Sequence, residues 1–136
     1  MTTFTVSFDP ELPSGGGTSP PEQPDWSRIY GLTEGREYDM TYHVGGRAFG
    51  YYPTDVVGLL SDLIGAKEAL DRGQGGAIDM SGYTILLAAV SEANIAFSDP
   101  YPSQWRCEVQ ADVVREALDQ ALRDVWSFVI SLGQPD

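Results

Sequence analysis

The chain reads as an α+β domain with a single antiparallel sheet of about five or six strands and two helices packed on one face. Three observations predict this. Period-2 alternation recurs at 4–8, 38–44 and 47–52, and strand-like apolar runs fill 77–98. Apolar residues at helical spacing occupy 56–70 and 109–132. The chain has 136 residues, 42% of them hydrophobic, which suffices for one packed core, so residues 1–136 form a single domain.

Taken in order, Phe4, Val6 and Phe8 alternate with Thr3, Thr5 and Ser7, a strand with one buried face that Asp9-Pro10 ends. Residues 10–25, PELPSGGGTSPPEQPD, are rich in Pro and Gly and too poor in apolar surface to offset ordering, so a mobile loop is expected there. Trp26, Ile29 and Tyr30 read as one helical turn closing that loop. Two strand-like runs, 37–44 and 47–52, flank Gly45-Gly46 and predict a β-hairpin. Its first strand places Tyr38, Met40, Tyr42 and Val44 on one face and Asp39, Thr41 and His43 on the other. Pro53-Thr54-Asp55 opens a helix to about Asp71, with Thr54 as the cap and Asp55 in the first turn. An antiparallel meander follows over Ala77–Met80, Tyr83–Val90 and Asn94–Ser98. Tyr83–Val90 is apolar on both faces, as in a central strand. Asp99 to Trp105 cannot continue a strand because two prolines withhold ladder donors. The last helix runs from about Val109 to Leu132, with Gly133 as its stop.

Composition narrows function. Twenty acids against eight bases give a formal net charge of −12. That field repels nucleic-acid phosphates and anionic headgroups and attracts basic partners, so neither nucleic acid nor membrane is expected. No stretch approaches the roughly 18 apolar residues of a membrane span. MTTFTVSFDPEL lacks the basic and apolar regions of a signal peptide, and Cys107 is the only cysteine, so a cytoplasmic location is expected. Cys107 reads as a buried filler.

Catalytic and metal constellations are missing from the sequence. Neither Gly15-Gly-Gly17 nor Gly73-Gln-Gly-Gly76 has the context of a phosphate cradle. His43 is the only histidine and has no second ligand for zinc. Carboxylate pairs such as Asp79 with Glu92, or Glu92 with Asp99, are cheap coincidences among so many acids. The reading is therefore no enzyme, no catalytic residue, no metal and no cofactor.

Charge placement points instead to a partner. Glu108, Asp112 and Glu116 recur at i, i+4, a spacing that costs a few tenths of a kcal/mol per like-charge pair. Beside them, Asp99, Tyr101 and Trp105 combine aromatics and a carboxylate on a proline-bearing loop, the composition of an interface hot spot. These six residues form the expected partner-binding site. The competing reading has Tyr101 and Trp105 capping the core.

In size, acidity, composition and order of elements the chain resembles the immunity proteins of bacterial toxin systems. No single motif carries that resemblance. It implies that the chain binds and neutralises a cognate basic toxin, by electrostatic steering followed by a desolvated aromatic contact. An acidic secretion chaperone would hold a client segment as a dimer, using Tyr83–Val90 as its surface. A small enzyme or ligand-binding domain would use Asp79, Glu92, Tyr101 or His43 in a pocket.

Overall fold

The structure is a computed structural model of the chain; it describes residues 3–12, 18–34, 36–50, 54–71, 76–80, 83–89, 93–98 and 105–133, with the backbone alone for 54, 76–80 and 83–89. The architecture is α+β, with the order β1 (Phe4–Asp9), α1 (Trp26–Thr33), β2 (Glu37–Val44), β3 (Arg47–Gly50), β4 (Thr54–Asp55), α2 (Val56–Asp71), β5 (Gly76–Met80), β6 (Tyr83–Ala89), β7 (Asn94–Ser98), β8 (Arg106–Gln110) and α3 (Ala111–Leu132).

The strands do not form the single sheet expected. They form two antiparallel sheets, one ordered β1-β2-β3 with β4 also paired to β2, the other β5-β6-β7-β8. The physical reason lies in β2. Along its eight residues one side is taken by β1, from Phe4↔Val44 to Asp9↔Asp39. The other side is divided between β3 at Thr41–Val44 and β4 at Glu37–Tyr38. The chain then passes straight from β4 into α2, whose 16 residues carry it about 24 Å before the next strand. The sheets meet through side chains instead. Phe4 of β1 stacks on Phe97 of β7 with ring centroids 5.2 Å apart, and Tyr42 of β2 lies 6.1 Å from Phe4.

The hairpin turns at Gly45 (φ 60°), a left-handed conformation that glycine adopts without a Cβ penalty. Met40, Tyr42 and Val44 are buried, as the alternation of β2 requires. The meander is present as β5-β6-β7, with β6 between its two neighbours, and β8 extends it. Arg106–Gln110 was expected to be loop and the first turn of the last helix. It pairs with β7 instead, Cys107 and Val109 turning inward between exposed Arg106, Glu108 and Gln110.

There are three helices among the described residues, not two. α1 has eight residues; Asp25 caps it by accepting from Arg28 N–H at 3.2 Å, and Ile29 and Thr33 are buried. The Thr33 hydroxyl donates to the Ile29 carbonyl at 2.8 Å. In α2 the cap falls one residue later than expected, since the Asp55 carboxylate accepts from Gly58 N–H at 2.7 Å. Val56, Leu59, Leu60, Leu63, Ala66 and Leu70 give α2 its buried stripe. α3 starts at Ala111, whose N–H donates to the Ala93 carbonyl at 2.7 Å. It packs on both α2 and β1 and also touches α1, β7 and β8, so its apolar arc is wide and takes in Trp126. Leu12 and Pro24, at the two ends of the Pro/Gly-rich segment, are buried.

Candidate protein-binding surface

Of the six predicted site residues, Asp99 and Tyr101 lie outside the described residues. Trp105 is half-buried just before β8 and packs against the core. Its ring is tilted on Phe49 of β3, with centroids 5.1 Å apart. The guanidinium of Arg47, also on β3, lies 4.7 Å from the Phe49 ring and 5.2 Å from the Trp105 ring. Trp105 thus joins the first sheet to the start of β8. Much of its surface is used inside the chain.

The three acids do not lie on one helix. Glu108 projects from β8 and pairs with Arg106 at 3.1 Å on the same strand face. Asp112 sits in the first turn of α3, where the dipole favours a carboxylate, and Glu116 lies one turn on. Both are exposed. Between them Arg115 turns to α2, donating to the Leu70 carbonyl at 3.2 Å and lying 3.5 Å from Asp71, so its charge meets the C-terminal end of that helix. Asp112 also lines a surface cavity of about 420 Å³ with Ala93, Asn94 and Gln110.

A second surface was missed in the sequence. Trp26 is 37% exposed and Tyr30 53%, and they are the exposed large apolar side chains among the described residues. They are four residues apart on α1. The signal was present: Asp25 is a good N-cap residue, and Ile29 with Thr33 at i, i+4 supply a buried face that leaves Tyr30 outside. Taking Trp26, Ile29 and Tyr30 as one turn obscured that division.

The residues suggested for chemistry do not converge. Glu92 and Tyr101 lie outside the described residues, as does the side chain of Asp79. His43 accepts or donates one hydrogen bond, Nε2 to Ser7 Oγ at 2.9 Å, across β1 and β2. That contact lines neither described cavity. The other cavity, about 250 Å³, lies between α2, Leu122 of α3 and residues 19–22, and is bordered by Lys67, Glu68 and Asp71. Lys67 is paired with Asp119 of α3. Among the described residues, no three His, Cys, Asp or Glu side chains gather as metal ligands, and no helix is long and apolar enough to cross a membrane. Cys107 is half-buried against the core.

Two buried side-chain oxygens among the described residues lack a hydrogen-bond partner, Asp39 Oδ1 and the Tyr42 hydroxyl. The Tyr42 hydroxyl is fully buried without a hydrogen-bond partner, and burial, with a smaller push from the Asp62 carboxylate, raises its pKa far above the ordinary phenol range. It opens into neither described cavity.

No protein-family model, curated protein or solved structure matches this chain.

Proposed function

We propose that the chain is an acidic protein-binding module that captures a basic partner, with a cognate toxin neutralised in the manner of an immunity protein as the leading case. The observation that carries this is the disposition of charge. Each basic side chain among the described residues engages a group of its own chain. Lys67 meets Asp119, Arg106 meets Glu108, Arg115 meets Asp71 and Arg123 meets Gln120. Arg36 and Arg47 lie over aromatic rings, and Arg28 also has a partner.

The acids are disposed differently. Among the described residues, Asp9 at the end of β1, Glu11 just after it, Glu22 before α1, Glu34 and Glu37 after that helix, and Asp112 and Glu116 on α3 are exposed and form no ion pair. Among the described residues these exposed carboxylates are thus left without a paired cation, in a chain whose net charge is −12. Such a surface accelerates encounter with a positively charged protein and rejects anionic ones.

The test is affinity capture from the source cell at low salt, followed by identification of what is retained and protection of cells against it. The expected result is a basic protein, released by salt, whose toxicity the chain suppresses. Retention of only acidic or neutral proteins would sink the proposal.

A further inference from the structure

We infer that the partner docks on the exposed face of α1, where Trp26 and Tyr30 receive arginine side chains of a basic protein segment. This rests on the reading of the chain as a binder of basic proteins and assigns the contact surface.

The spacing comes first. Trp26 and Tyr30 stand at i and i+4, so two aromatic rings run along one edge of the helix, and Glu34 follows as the residue just past its C-terminal end. All three are exposed, while Ile29 and Thr33 form the adjoining buried side that seats the helix on the core. Ser27 and Gly31 lie beside that edge and are exposed too, and a side chain added at Gly31 would meet nothing within 4 Å. The face is therefore open and low enough for a partner to approach.

Chemistry then selects the occupant. An exposed pair of Trp and Tyr offers large, rigid contact area with negative ring faces, which guanidinium groups stack on. Glu34 supplies a carboxylate at the end of the row. The last turn of α1 holds no basic residue, so the negative end of its dipole adds to that charge. Glu22 and Asp25 extend the acidic border at the other end, Asp25 using one oxygen to cap the helix. The two nearby exposed arginines lower this acidity without outnumbering the acids Glu22, Asp25, Glu34 and Glu37. Arg36 is drawn over the Phe128 ring of α3, and Arg28 already engages the chain. By contrast, Trp105 spends its ring on Phe49 and Arg47. Of the two aromatic surfaces, the one on α1 is turned outward.

The experiment is calorimetric titration of the full chain with an oligo-arginine peptide and its oligo-lysine counterpart at about 0.1 M salt. The expected result is tighter binding of the arginine peptide, weakened about tenfold by Trp26→Ala with Tyr30→Ala and by the single variant Ser27→Arg. Asp112→Asn with Glu116→Gln should weaken it only about twofold, through the general field. Unchanged thermal melting establishes that each variant folds, and Ser27→Arg stands in if the aromatic pair does not. Equal binding by wild type and the α1 variants, or loss confined to the α3 variant, overturns the α1 assignment and leaves the basic-partner reading standing. No binding of either peptide by the wild type overturns both.

Discussion

Replacement of Tyr42 by Phe removes one oxygen from the centre of the core, and the expected effect is a gain in stability. The ring is fully buried, 6.1 Å from Phe4, and the hydroxyl has no hydrogen-bond partner. Leaving a buried hydroxyl unsatisfied costs about 1–3 kcal/mol of desolvation. Removing the oxygen forfeits its few dispersion contacts, each about 0.1–0.2 kcal/mol. The net expectation is a stabilisation of about 1 kcal/mol, read as a rise in Tm of about 3–5 °C. Alkali sharpens the test. Below the ordinary phenol value of 10.0 the hydroxyl is neutral in both folded and unfolded chains. Above it the unfolded chain releases the proton and the folded one does not, because burial raises the folded value. Tyr42 therefore makes wild-type stability fall by about 1.4 kcal/mol per pH unit above about pH 10, a loss that Tyr42→Phe lacks. Urea unfolding of both proteins at neutral pH and above pH 10 gives the comparison. A variant destabilised by more than about 1 kcal/mol at neutral pH would show that the hydroxyl is satisfied and refute the reasoning.

Two further substitutions test the fold. Phe97→Ala, at the ring contact that joins the two sheets, should cost about 3–5 kcal/mol in urea unfolding. Hydrogen exchange should then quicken in β2 as well as in β7; faster exchange in the second sheet alone would mean that the sheets do not depend on that contact. Asp55→Ala should cost about 1 kcal/mol in the same melts through loss of the α2 cap, with Asp55→Asn retaining most of it.

Local pattern carried much of the fold into the sequence. The hairpin was legible because alternation in β2 and the Gly45-Gly46 pair specify the same register. α2 was legible because its leucines repeat at helical spacing. What the sequence hid is which strands pair across α2. β2 uses both its sides within the first sheet, and the meander of β5, β6 and β7, legible as such, carries no local mark that it stays apart from that sheet. β8 was hidden for a different reason: Val109 and Val113 are spaced as on a helix, while Cys107 and Val109 are equally spaced as on a strand. Only pairing with β7 decides between them. Likewise, the packing of Trp105 depends on Arg47 and Phe49, more than fifty residues away in the chain. The α1 surface needed no such distant partner, only recognition that Asp25 begins a helix whose sides differ.

The central claim is that an unneutralised acidic surface recruits a basic protein. Its most direct test is the Kd for the captured partner at about 0.05 M and about 0.5 M salt, across which the Debye length shrinks severalfold. The expected result is at least about a tenfold loss of affinity, most of it in the association rate. An affinity that stays the same across that range would contradict the claim.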